Sequence, residues 1–238
     1  MEPAGLIERL EAETERITQS SLLRAAHYRV RPCAGAAGCP RALIPVLDVA
    51  QAIARRIAAS GFPDFLARAM AGRPILSHHR FQAAVAGCPN ACSQPQINDF
   101  GVIGAAQVRL DVALCDACLR YVKACREQAM EVRGGAPSIA AERCLGCGDC
   151  VRACPSGALA PGQPGYLVLV GGKLGRHPRL AAAVARVTEL DAVLHVLDRA
   201  LDASMKGLPG ERLGEIMERE AAGQLPAHGE TRRTMNRR

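Results

Sequence analysis

Cys88 and Cys92 stand in a C-x3-C spacing within Gly87–Gly104, G-C-P-N-A-C-S-Q-P-Q-I-N-D-F-G-V-I-G, a run rich in turn-forming residues. Cys33 and Cys39 form an earlier pair, C-x5-C, set among Gly and Ala. Four thiolates on glycine-rich loops suit an inorganic cluster, because backbone without bulky side chains can close around it. Structural zinc sites use tighter knuckles in both halves, and C-x5-C breaks that pattern. The two pairs read as one iron–sulfur site.

C-x5-C followed by G-C-P-N-x-C and D-x-G resembles the sulfite/nitrite reductase hemoprotein family. A third matching stretch is Gly171-Gly-Lys-Leu-Gly-Arg-His-Pro-Arg179. The resemblance implies that Cys33, Cys39, Cys88 and Cys92 hold a 4Fe–4S cluster, with Cys92 also the axial ligand of siroheme. It further implies that Asn90, Arg29, Arg31, His177 and Arg179 contact the cofactor, and that Arg80, Gln82, Lys173 and Arg176 act on the substrate. Sulfite-reducing members carry a Lys-x-Lys pair on the strand before the cluster cysteines; here the matching residues are Arg80-Phe81-Gln82. Arg80 keeps a cation with bidentate geometry for an oxyanion, whereas Gln82 offers only a hydrogen bond. The implied activity is six-electron reduction of a small oxyanion, sulfite to sulfide, with nitrite to ammonia open. The alternative is a non-catalytic iron–sulfur electron-transfer subunit.

Seven further cysteines crowd into Cys115–Cys154. Cys144-L-G-Cys147-G-D-Cys150-V-R-A-Cys154-Pro155 has the C-x2-C-x2-C-x3-C-P run of bacterial ferredoxins, whose fourth cysteine serves the other cluster of a pair. Cys125 then completes a 4Fe–4S set with Cys144, Cys147 and Cys150. Cys115-D-A-Cys118-L-R-Tyr121-V-K-A-Cys125 repeats the spacing with Tyr121 in the third cysteine position. Cys115, Cys118 and Cys154 are left as three ligands: a three-iron cluster, a four-iron cluster with a foreign ligand, or a decayed site. Anaerobic and dissimilatory-type sulfite reductase subunits resemble this layout, with the insert as a wire from an external electron donor protein.

The elements that must hold these residues are legible in part. Leu6, Ile7, Leu10 and Ile17 share one face of a helix over 5–19, and Leu43, Leu47, Ala50, Ala54 and Ile57 recur at helical spacing. A short helix with Asp64 as N-cap follows, ending at Gly72. Residues 74–86 alternate as a strand, placing Arg80 and Gln82 on one face. Strands are predicted over 100–112 and 166–170. Pro178 opens a helical region, Thr188 and Asp191 form a capping box, and Leu190, Val193, Leu194, Leu197 and Leu201 make one stripe. A last helix spans 211–222.

The predicted fold class is α+β: a small single-module siroheme/4Fe–4S reductase unit, residues 1–110 and 163–205, interrupted by a two-cluster ferredoxin-like insert, 111–162. Residues 206–238 are a helix and a basic, disordered tail. The chain has 238 residues, 49% hydrophobic but only 3% aromatic, so Ala, Leu and Val carry the packing. Its net charge of +7 suits an anionic cofactor and substrate better than nucleic acid, since aromatics for base stacking are scarce. No apolar run spans a bilayer, and eleven cysteines without a signal peptide point to a reducing cytoplasm. A second subunit, identical or not, is expected to complete the pocket, because few residues precede Cys33.

Overall fold

The computed structural model describes residues 3–18, 20–134, 136–208 and 210–224. Its centre is a five-stranded mixed sheet in the order β1-β2-β3-β6-β7. β1 (Tyr28–Pro32), β2 (Phe81–Ala86) and β3 (Phe100–Leu110) run parallel, while β6 (Leu159–Val170) and β7 (Ala182–Val187) continue antiparallel. Parallel neighbours need a crossover. Between β1 and β2 it is made by α2 (Val46–Ala59) and α3 (Phe62–Ala69).

One sheet face is the core. Val30, Val85, Phe100, Val102 and Val168 meet Val49, Ile53 and Ile57 of α2, and Val193, Leu197 and Leu201 of α6 (Leu190–Met205). Each such aliphatic side chain, once buried, contributes about 1.5–3 kcal/mol. The opposite face is different. Arg29 pairs in register with Gln82 and Arg31 with Ala84, so the polar residues of β1 and β2 share that side.

The β2-to-β3 crossover has no α-helix, only a 3-10 turn at Pro95–Ile97. The cysteine loop itself, 87–99, returns from the C-terminal end of β2 to the N-terminal start of β3. Arg31 pins it to the polar face by donating from Nη2 to Ser93 O at 2.8 Å.

Beyond the sheet, β3 and β6 extend as two paired arms to Leu110 and Leu159. Between them lie α4 (Arg120–Ala124), the hairpin of β4 (Met130–Arg133) and β5 (Ala136–Ile139), and α5 (Asp149–Ala153). Tyr121, Met130, Cys150 and Leu159 form a separate small core there.

Several expectations are corrected. The first helix, α1 (Pro3–Thr18), forms, but Ile7 on its predicted apolar face is 55% exposed. α2 starts at Val46, beyond Leu43, and Gly61 rather than Asp64 is the N-cap of α3. β2 begins at Phe81, because Ser77–His79 form a 3-10 turn after Pro74. β6 starts at Leu159, earlier than Tyr166. No helix begins at Pro178: Lys173 and Arg179 pair through their backbones to close a hairpin loop, and β7 follows. Glu189, not Thr188, precedes α6 and makes no side-chain cap. α7 (Leu213–Gln224) bears out the last helix; the tail Arg232, Arg233, Arg237 and Arg238 lies outside the described residues.

Candidate iron–sulfur and anion site

Cys33 follows β1 directly, and its thiol accepts from Gly35 N at 3.3 Å and Gly87 N at 3.2 Å. A Cβ at Gly87 would meet Val46 Cγ2 at 2.8 Å and Ala42 Cβ at 2.9 Å, so only glycine lets the two cysteine loops close. Burial pushes the Cys33 thiol up, and Cys92 and Cys39 act on it too. Burial likewise raises Cys88, which feels Cys33, Cys92 and Cys39. The four predicted thiols thus lie close enough to act on one another. Asn90, predicted at the cofactor, donates from Nδ2 to Cys92 Sγ at 3.0 Å.

The insert gathers its thiols in two sets. Burial pushes Cys150 up to about 11, with Cys147, Cys144 and Cys125 adding to it. Burial also raises Tyr121, whose other neighbours are Cys115, Cys118 and Cys154. Among the described residues, no three His, Cys, Asp or Glu side chains converge on a single ion position.

The polar face next to the cysteine loop is cationic and unmatched. Arg29 Nε, Arg31 Nε, Arg80 Nε and Ser93 Oγ are buried without a hydrogen-bond partner. Among the described residues these three arginines make no ion pair with a carboxylate. Burial, and then the Arg29 charge, push the Arg31 guanidinium down. Buried donors without acceptors are costly, and an anion on this face would relieve them. Gln82, on the same side, donates from Nε2 to Ser77 O at 2.8 Å, which leaves part of its amide committed to the turn before Arg80.

The 171–179 loop departs from expectation. Lys173 is 5% exposed, and its Nζ lies 2.9 Å from Glu215 Oε1 of α7. Arg179 donates to Gly214 O at 2.6 Å and sits 3.6 Å from Glu218. Both cations therefore fasten α7 rather than joining the unpaired arginines. Arg176 and His177 are exposed at the loop tip.

Sequence reasoning missed the brace beneath this site. Asp99, 2% exposed, accepts from Gln82 N and from Arg212 Nε, each at 2.8 Å. Asp99 sits in the D-x-G stretch, but nothing near Arg212 marks it as a partner.

The family described as "Nitrite and sulphite reductase 4Fe-4S domain" matches residues 26–223. The chain belongs to that family. It is an iron–sulfur domain of α+β fold. Coenzyme F420-dependent sulfite reductase of Methanocaldococcus jannaschii is 29% identical over 196 residues, covering 81% of this chain and 29% of that protein. One polypeptide of the anaerobic sulfite reductase of Salmonella typhimurium is 35% identical over 54 residues, 23% of this chain and 16% of that protein. The chain thus spans less than a third of the length of either relative. The crystal structure of dissimilatory sulfite reductase I matches with a TM-score of 0.55 at 21% identity, over 97% of this chain and 61% of that one. No described helix is long and apolar enough to cross a membrane.

Proposed function

We propose that the chain is a siroheme- and iron–sulfur-dependent reductase module for a small oxyanion, with sulfite, reduced to sulfide, as substrate and nitrite as a second candidate. The observation that carries this is the set of buried, unpartnered guanidinium nitrogens at Arg29, Arg31 and Arg80, of which Arg31 also bonds the cysteine loop at Ser93 O. Siroheme fits these residues: its carboxylates would satisfy orphaned donors, and Cys92, the exposed thiol of the set, would be the cysteine to hold it. When bound, the tetrapyrrole iron supplies the redox chemistry, coupled to a 4Fe–4S cluster on Cys33, Cys39, Cys88 and Cys92.

The chain's own residues then have separable tasks. Arginine stays charged across the working pH range, so Arg29, Arg31 and Arg80 hold and polarise anions rather than deliver protons. Gln82 donates a hydrogen bond from the same face. Lys173 and Arg179 hold the 171–179 loop against α7, which leaves Arg176 and His177 as its groups able to meet a bound anion. Residues 111–162 act as a ferredoxin-like insert whose Cys125, Cys144, Cys147 and Cys150 carry a second 4Fe–4S cluster. An external donor protein feeds it in the cytoplasm, and the pocket is completed by a second polypeptide, identical or not.

Anaerobic purification tests the reading. A siroheme protein shows Soret and long-wavelength tetrapyrrole bands above the broad cluster absorption, and Cys92→Ser removes their coupling to the cluster. Cys150→Ser keeps siroheme but starves it of electrons from the donor. Cluster absorption alone, without tetrapyrrole after reconstitution, would identify an electron-transfer subunit instead.

A further inference from the structure

We propose that Cys115, Cys118 and Cys154 hold a three-iron sulfur cluster, with Tyr121 filling the corner where a fourth iron would sit. This rests on reading the insert as a ferredoxin-like domain. The two halves of the insert share one backbone plan. In the second half, Gly146 and Gly148 adopt left-handed φ of 70° and 74°, α5 follows, and Cys154 ends it. In the first half, Ala117 and Leu119 take φ of 55° and 57°, α4 follows, and Cys125 ends it. The match extends past the helices, where Gln128 at φ 50° answers Gly157 at φ 74°.

Left-handed backbone costs a residue with a Cβ roughly 1 kcal/mol or more. The first half adopts it at three non-glycine positions, in the conformation that wraps thiols around a cluster. Ala129 N donates to Cys125 Sγ at 3.2 Å, much as Leu159 N donates to Cys154 Sγ at 3.4 Å. Gln128 lies past Cys125 of the other set, but Ala117 and Leu119 flank Cys118 and keep the cluster-wrapping backbone at that cost.

Only the third ligand differs. Tyr121 is the second residue of α4, as Cys150 is of α5. It is 3% exposed, packs in the insert core with Cys115 and Cys154 beside it, and faces the three thiols. A phenol is far bulkier than a thiol and is a hard oxygen donor, whereas iron–sulfur clusters select soft thiolates. Three thiolates supply one ligand each to three irons, and the ring occupies the missing corner. The cluster carries one electron at a time, from an external one-electron donor protein to the neighbouring site at Cys125, Cys144, Cys147 and Cys150.

The test uses the full-length holoprotein, prepared anaerobically, with iron and sulfide assays, EPR and Mössbauer spectroscopy. The oxidised protein is expected to show a spin-half three-iron signal that one-electron reduction removes. Tyr121→Cys should gain one iron per chain and lose that signal. Tyr121→Phe should keep both signal and iron content, and needs no refolding of the site. Three results would overturn the proposal: no three-iron signal in the wild type, its conversion to a four-iron cluster on incubation with ferrous iron and thiol, or loss of iron in Tyr121→Phe. Cys150→Ser separates this from the reading beneath it: if that variant keeps all its iron, the insert is not a ferredoxin-like domain at all.

Discussion

Replacing Arg212 with Met should destabilise the protein by about 3–5 kcal/mol near neutral pH, the usual cost of leaving one partner of a buried ion pair behind. Arg212 Nε lies 2.8 Å from Asp99 Oδ1, with side chains 17% and 3% exposed. At an effective dielectric of about 20 the attraction is about 6 kcal/mol before desolvation is subtracted. The variant keeps the Gln82 and Leu213 backbone N–H groups as donors to Asp99, which do not offset a buried charge. Burial raises the Asp99 carboxyl above its ordinary range, while Arg212 pulls it down. Without Arg212 it rises further. A carboxyl whose folded pKa exceeds its unfolded one binds more protons in the folded state between the two values. Stability therefore falls as pH rises through that window and returns on acidification. The penalty of Arg212→Met should shrink as the pH falls from neutral toward the ordinary carboxylate range, about 4. Adding Asp99→Asn should recover about 2 kcal/mol or more at pH 7 and flatten the pH dependence. Urea unfolding of anaerobic holoprotein, compared at constant slope, measures each value. Single penalties that add within about 0.5 kcal/mol in the double variant, or a penalty constant with pH, would refute the reasoning.

Gln82→Lys restores a second cation on the anion face and should raise the sulfite-to-nitrite ratio of kcat/KM by roughly tenfold, since sulfite carries the greater charge and one charge at close range is worth on the order of a few kcal/mol; an unmoved ratio would make Gln82 a structural partner of Ser77. Arg31→Met removes the hydrogen bond to Ser93 O together with one unpaired cation, so siroheme retention on dilution should weaken about tenfold or more, read from the tetrapyrrole absorption. Gly104→Ala would place a Cβ 2.4 Å from Gly87 O, and should cost about 1–3 kcal/mol and lower iron content at the Cys33–Cys92 site while sparing the insert.

The cysteine spacings were legible because each pair, C-x5-C or C-x3-C, lies within one loop, whereas bringing the two loops together depends on β1 and β2 pairing side by side. The core stripe of α6 was legible for a similar reason, since Val193, Leu197 and Leu201 repeat within one helix. β7 was not. Its Ala-Ala-Val-Ala-Arg-Val is alanine-rich, and it becomes a strand only because β6 offers an unpaired edge. The partners of Lys173 and Arg179 were not legible for the same physical reason. A motif names which residues occur, but their partners Glu215, Gly214 and Glu218 come from a distant helix. The Asp99–Arg212 brace joins residues 113 positions apart, and no local pattern encodes it.

How the insert is held bears on how electrons would travel. Besides the β3–β6 pairing, two hydrogen bonds among the described residues tie it to the sheet module, and both involve residues between cysteines of the Cys144–Cys150 run. Asp149 Oδ1 meets Arg41 Nη1 at 3.0 Å, two residues past Cys39, and Gly146 O accepts from Ala106 N at 2.9 Å. The ion pair is partly exposed, with side chains 57% and 24% accessible, so it contributes at most about 1 kcal/mol. The backbone contact is more constraining. Gly146 has φ of 70°, and a Cβ there would stand 2.7 Å from Ala106 O. Position is then set by the paired β3 and β6 arms and this close approach, with the charge pair adding orientation. On the proposed reading, the Cys125/Cys144/Cys147/Cys150 cluster is the one held against the loop of Cys39. Among the described residues, the Cys115/Cys118/Cys154 site has no such tie, and its flank carries exposed Val112, Leu114 and Leu119. Electrons would therefore arrive at the three-thiolate site and leave through the four-thiolate one, toward Cys92.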